Sequence, residues 1–268
     1  SGPVQGIAGA YTGNSLAVQA VLISLLSVSL WNALELIVLV LGYFRVHRGL
    51  YFWSLLITAG AGVIPDVIGL LLKYFALAPI AVPVTVSTFG WTVMVTGQSL
   101  VLYSRLHLVV HSQKLLMSVL CMIIANAILF QIPQIVLSYG AVYGPSTFSF
   151  ILVFNTWEKV QLVIFSLQEV IISSIFIVQA VRLLRLFPES HADSDLDVHT
   201  PSHRRSRRRV RIMYQLLAIN TVLIAMDIAL LALQYSNLFL FQTVFKVFFY
   251  SVKLKLEVAV LSRLVLVV

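Results

Sequence analysis

Five carboxylic acids stand inside long apolar runs of this sequence: Glu35, Asp66, Glu169, Asp227 and Glu257. The other acidic residues, Glu158, Glu189, Asp193, Asp195 and Asp197, fall in one loop or at a helix end. A carboxylate in hydrocarbon costs several kcal/mol, so each of the five is expected to face a protein interior and mark a site or relay. Their spacing points to one shared interior. Trp91, Gln98 and Arg105 recur at steps of seven, as do Asn220, Asp227 and Gln234. Lys246, Tyr250, Lys253 and Glu257 follow at four, three and four, and Gly62, Asp66, Gly69 and Lys73 at comparable steps. Such steps keep residues on one face of a helix. A stripe of ordinary interhelical hydrogen bonds gives the same spacing, but four converging stripes favour a polar cavity.

Depth along the runs separates these groups into two layers. Asp66, Gln98, Glu169 and Asp227 fall at mid-membrane or in the lumenal half; Glu35, Arg105, Lys255 and Glu257 fall in the cytoplasmic third, with Lys253 just above. The lower layer can balance its own charges, and Glu35, Arg105, Lys253, Lys255 and Glu257 are expected to form a structural ion network. The upper layer has three carboxyls and no evident cation at their depth. Desolvation and like-charge repulsion both favour the neutral acid, so one carboxyl is expected to keep the proton that a general acid needs. Asp66 and Asp227 are the first candidates for catalysis, with Glu169 as alternative acid or final base. Asp66 follows Pro65, whose missing N–H loosens a helix. Trp31, Trp91, Gln98, Asn220 and Tyr235 are the candidate substrate-binding residues. With Phe89, Phe165, Phe241 and Phe245, the rings could shelter a carbocation through their faces, although packing and interfacial anchoring use the same residues.

Helices must hold these side chains. The chain has 268 residues, 60% hydrophobic and 10% charged, with a mean hydropathy of +0.98; a soluble domain carries about 25% charged residues. That composition excludes an ordinary soluble enzyme, a nucleic-acid-binding domain and a disordered chain. Seven apolar runs stand out at approximately 15–43, 52–75, 86–110, 115–138, 159–186, 211–234 and 238–265. A membrane-crossing helix needs roughly 20 such residues, and the short alternating segments of a membrane β-barrel are missing. The expected fold is all-α, a single seven-helix transmembrane bundle over residues 1–268. The net charge of +8 is local, because six of the 18 basic residues lie between Arg204 and Arg211; no nucleic-acid partner is expected. Lys and Arg concentrate in the connections 1–2, 3–4 and 5–6, which predicts a lumenal N-terminus and a cytoplasmic C-terminus. The stretch at about 187–209, acidic and then basic, is expected to be a mobile cytoplasmic loop. Its His191, His199 and His203 match no metal-ligand spacing, so no metal is expected. Cys121 is the one cysteine, which excludes an internal disulfide; it is expected to be a small core residue. No repeat at a fixed period is visible, which disfavours an inverted-repeat transporter.

Several blocks carry a resemblance: WNALEL (31–36), RGLYFWSLL (48–56), GWTVMVTGQSLVLYSRLHLV (90–109), MYQLLAIN with MDIALL (213–231) and KLKLEVAVLSRL (253–264). In this order they resemble a fungal family of seven-helix integral membrane proteins, from about residue 12 to the end apart from 187–209. Some members look like the membrane-bound terpene cyclases of fungal meroterpenoid pathways. The resemblance implies cyclisation of a hydrophobic, farnesyl-type prenylated substrate, started by protonating an olefin or terminal epoxide, with no metal or organic cofactor. The expected setting is the endoplasmic reticulum membrane. It assigns no catalytic residue, so Asp66, Asp227 and Glu169 rest on the depth argument alone. A seven-helix receptor or sensor is the alternative and shares the topology, but the receptor hallmarks are missing: no Asp/Glu-Arg-Tyr triplet follows helix 3, where Tyr103-Ser104-Arg105-Leu106 is only a loose echo, and there is no NPxxY and no second cysteine for a lumenal disulfide. A cyclase should centre a closed, greasy pocket on the three carboxyls. A receptor should open a vestibule at its lumenal end and a cavity for a partner at the other.

Overall fold

A computed structural model describes residues 15–43, 49–110, 112–143, 147–186, 201–235 and 239–265. Among these residues the chain is all-helical, in seven helices: α1 Leu16–Tyr43, α2 Leu50–Tyr74, α3 Ala81–Val109, α4 Gln113–Tyr143, α5 Thr147–Leu186, α6 Pro201–Tyr235 and α7 Phe239–Val265. Five of them contain spans long and apolar enough to cross a membrane: Leu16–Gly42, Leu50–Tyr74, Gln113–Tyr143, Phe150–Arg182 and Leu217–Tyr235. This is a membrane protein. α3 and α7 are as long, at 29 and 27 residues, but carry the polar stripes. The expected mobile loop lies, in its part 187–200, outside the described residues. Its basic end is a correction: α6 starts at Pro201 instead of near 211, so Arg204 to Arg211 are helical backbone. Proline suits a first helical position and arginine is a good helix former.

The bundle is inverted relative to a soluble protein. Val38, Leu39, Ile128, Leu129, Val136, Leu152 and Val153 are exposed, while Gln98, Lys246, Lys253 and Glu257 are buried. Cys121 is exposed rather than in the core, because Met117, Cys121, Ile124 and Ile128 share the outward face of α4. Two apolar clusters fill the interior. One joins α1, α2, α3 and α7, with Phe165 of α5 and Leu230 of α6, around Leu26, Leu55, Val67, Met94, Val247 and Leu254. The other joins α3, α4, α5 and α6 around Leu106, Val119, Ile123, Ile172 and Leu223. α3 belongs to both and is the central post.

Two prolines shape the polar helices. Proline inside a helix removes one backbone hydrogen bond and crowds the carbonyl four residues back. The chain responds by widening into π-helical turns just upstream, Thr58–Val63 before Pro65 and Ala127–Gln131 before Pro133, a local device frequent at functional sites. The expected loosening next to Asp66 is therefore present. Glycines then bring α2 and α3 into backbone contact. A Cβ on Gly62 would lie 2.9 Å from the Met94 backbone, and one on Gly69 2.5 Å from the Ser87 nitrogen. A Cβ on Gly90 would collide with the Asp66 backbone, and one on Gly97 with the Thr58 hydroxyl. The close approach typical of small residues between membrane helices thus runs in antiparallel register from Thr58 to Gly69, and sets Asp66 against Ser87.

Candidate functional site

α7 carries a column of charged groups, and the buried cations Arg105, Lys246 and Lys253 each have both a carboxylate and an aromatic face. Lys246 donates to Glu158 Oε1 at 2.6 Å and lies 5.4 Å from the Trp91 ring centre. One helical repeat on, Lys253 sits between two acids, pairing with Glu169 Oε2 at 2.7 Å and with Asp227. Its ammonium is 4.8 Å from the centre of the Tyr250 ring, and the Tyr250 hydroxyl donates to Glu169 at 3.3 Å. Next, Glu257 pairs with Arg105, which also donates to Asn220 Oδ1 at 3.0 Å and covers the Phe176 ring at 4.8 Å. Asn220 in turn donates to the Ser173 carbonyl at 3.2 Å, so α3, α5, α6 and α7 meet at Arg105. All these charged groups are buried. In a low-dielectric interior that burial is tolerable only where each charge is paired and hydrogen-bonded.

A cleft opens at the other end of this column. Its volume is about 90 Å³, and its walls come from five helices: Asp66, Leu70 and Lys73 of α2, Val84, Ser87 and Trp91 of α3, Gln134 and Ala141 of α4, Phe154 and Glu158 of α5, and Thr243 and Lys246 of α7. Asp66 is buried and accepts a 2.7 Å hydrogen bond from the Ser87 hydroxyl. Among the described residues it is the one acid of the apolar runs that has no salt bridge. Two further acceptors at this cleft, Gln134 Oε1 and Glu158 Oε2, are buried and receive no hydrogen bond.

The three candidate catalytic carboxyls are therefore not one group. Asp227 and Glu169 share Lys253, a cation that the depth count had put in the lower layer, and Asp66 stands apart in the cleft. The expected ion network is corrected in the same way. Arg105 and Glu257 form one buried pair, Lys253 belongs to the upper acids, and Lys255 pairs with Glu35 at 2.5 Å where both side chains are more than a third exposed. Of the candidate substrate-binding residues, Trp91 lines the cleft. Trp31 and Tyr235 are 68% and 64% exposed and face outward. Asn220 serves Arg105, and Gln98 is fully buried with neither amide atom partnered. Among the other rings, Phe89 is exposed and Phe165 packs in the core.

Glu158 and Gln134 are the residues that sequence reasoning missed. Glu158 looked like a helix-end residue because α5 was expected to start at 159, whereas it starts at Thr147. A signal was present. Glu158, Gln161, Phe165 and Gln168 follow at three, four and three, the same one-face spacing that marked α7, and all four are buried.

A family profile described as "Domain of unknown function (DUF7703)" matches residues 11–268. The chain belongs to that family. No curated protein and no solved structure shows a significant match to it. The family description states no activity, so in this DUF7703 protein the geometry itself must carry the functional argument.

The shared lysine makes a direct prediction. Lys253→Met strands two carboxylates in the interior of the DUF7703 bundle and should lower unfolding stability by about 3–5 kcal/mol. Lys255→Met removes a half-exposed pair and should change it by about 0–1 kcal/mol. Unfolding of both variants in detergent micelles measures this, and equal losses would show that Lys253 is not the counter-ion of the two acids.

Proposed function

We propose that this protein is a seven-helix membrane sensor, with a ligand cleft at one end of the bundle and an Arg105-centred lock at the other. One observation carries the reading: the same helix, α7, supplies Lys246 to the cleft and Glu257 to the lock. The two positions are eleven residues apart, about 16 Å along a helix. A ligand competing for Glu158 or Lys246 would remove the upper of the two ion pairs between α7 and α5 and leave Lys253 with Glu169 as the pivot, and the same α7 holds Glu257 against Arg105. Coupling between sites needs such an element with two arrangements that both ends can bias. The cleft's place at the helix ends also favours a sensor over a closed reaction chamber centred on three carboxyls.

The excess of Lys and Arg in alternate connections supports a lumenal N-terminus and a cytoplasmic C-terminus, in an internal membrane such as the endoplasmic reticulum. α6 has 35 residues, roughly 52 Å of helix against a hydrocarbon core of about 30 Å. Its arginine-rich first turns would then project on the cytoplasmic side, where a partner could read the lock.

A second reading, a non-redox terpene cyclase acting on a farnesyl-type meroterpenoid, is favoured by Asp66. It is a buried carboxyl hydrogen-bonded to a hydroxyl, without a salt bridge, beside Trp91 and apolar walls. In that chemistry Asp66 protonates the olefin or epoxide, the chain closes its rings, and a second carboxylate or water takes the final proton. The product is an isomer of the substrate, so the reaction requires no cofactor. A 90 Å³ cleft would admit only the reacting end of such a chain.

Three measurements test these readings. Spin labels at His107→Cys and Tyr214→Cys, in a Cys121→Ser background, report the spacing of α3 and α6 beside the lock. Lys246→Met should shift that spacing by about 1–2 Å, and Arg105→Gln should do the same; no shift with Lys246→Met would remove the coupling. Protease added to sealed microsomes should cut at Arg204–Arg211, and protection there would reverse the orientation. Membranes supplied with a prenylated phenol or its terminal epoxide should yield a cyclised isomer if the second reading holds, with a loss of about 10²–10⁴ in rate for Asp66→Asn. No isomer from the unmodified protein would exclude it.

A further inference from the structure

The polar atoms of the cleft say what kind of ligand it takes. The charges are balanced, with Asp66 and Glu158 against Lys73 and Lys246. They come from α2, α5 and α7, since the cleft walls from α3 and α4 carry no charged side chain. Lys246 is already committed to Glu158 Oε1 and the Trp91 ring. A ligand anion would meet two carboxyls and a cation two ammonium groups, so neither charge is selected. Among the fully buried polar atoms of the cleft, the unused capacity is of one type. Gln134 Oε1 and Glu158 Oε2 are acceptors without a donor, on side chains at least nine-tenths buried, and a buried acceptor left without a donor is costly. Around them stand apolar walls from Leu70, Val84, Phe154 and Trp91.

We infer that the cleft binds the neutral, donor-bearing end of a small molecule, a dihydric phenol or other diol, through Gln134 Oε1 and Glu158 Oε2. The inference rests on the reading of the cleft as the ligand site and adds the ligand's chemical class. The ligand presents two O–H donors to the two acceptors and its apolar face to Trp91 and Phe154. A volume of 90 Å³ is below the roughly 150 Å³ of a closed cavity that holds benzene, so the cleft takes the hydroxyl-bearing edge of one ring and leaves the opposite edge at its mouth. Any longer apolar part of the ligand stays outside the cleft.

Four probes of similar size separate the possibilities: resorcinol, 1,3-dimethoxybenzene, benzoate and benzylammonium. Each is titrated against the full chain in lipid nanodiscs by saturation-transfer NMR. Resorcinol should bind roughly tenfold or more tightly than the other three, the effect of leaving buried acceptors unpaired. Gln134→Leu should weaken resorcinol by a similar factor and leave dimethoxybenzene unchanged. Equal binding of resorcinol and its ether, preference for either charged probe, or no saturable binding at all overturns the inference. If Gln134→Leu does not fold, the four-probe ranking on the unmodified protein still decides. Donor-selective binding with no change in the label spacing beside the lock would defeat the sensor reading alone. A spacing change without donor selectivity would defeat this inference alone.

Discussion

Hydrocarbon gives an unpaired charge nothing to bind, and α7 is where this bundle meets that constraint. Five salt bridges converge on α7: Lys246 with Glu158, Lys253 with both Glu169 and Asp227, Lys255 with Glu35, and Glu257 with Arg105. Those partners lie on α1, α3, α5 and α6, so a single helix fixes the rotation and height of four others. Removing one member of a buried pair costs more than the pair contributes, because the remaining charge stays in the interior. The arrangement therefore specifies one packing of the bundle more than it adds to its stability.

Close packing supplies what the ion pairs do not. α2 makes none of these salt bridges; glycines on both helices hold it against α3 instead, with Gly62 and Gly69 on one side and Gly90 and Gly97 on the other. The π-helical turns before Pro65 and Pro133 shift the register of α2 and α4 just where Asp66 and Gln134 approach the cleft. Asp66 thus reaches its site by backbone contact and not by charge, which is why it alone is left with a hydroxyl for a partner. The rings have a related role. Trp91, Tyr250 and Phe176 each face a cation of the protein itself, so one face of each ring is committed before any ligand arrives.

Much of the bundle was legible from composition and period. Low charge, seven apolar runs and steps of three, four and seven suffice to specify an all-helical membrane protein with an inward polar face, because backbone groups in hydrocarbon must be satisfied within each helix and helix geometry fixes which residues share a side. The stripe on α7 follows from the same rule, whereas the packing role of Gly62 and Gly69 against α3 is seen only in the structure. Trp31 and Tyr235 show its limit. A tryptophan one turn from Glu35 looks like a cavity wall, yet only the rotation of α1 decides whether it faces the interior or the lipid.

Partner choice was beyond reach of the sequence for a physical reason. Depth counted from the ends of apolar runs carries an error of a few residues, and one helical turn is enough to move Lys253 from one layer to the next. Extended ends of α5 and α6, at Thr147 and Pro201, added to that error and hid Glu158. The sequence by itself determined the membrane setting, the helical class and the set of charges that had to be buried, since these depend on residue type and local period. Only the tertiary structure decided that Lys253 serves Glu169 and Asp227, that Arg105 closes on Glu257, and that Asp66 stands apart in the cleft. Pairing depends on helix rotation, register and proline-induced widening, which arise from contacts between residues far apart in the chain.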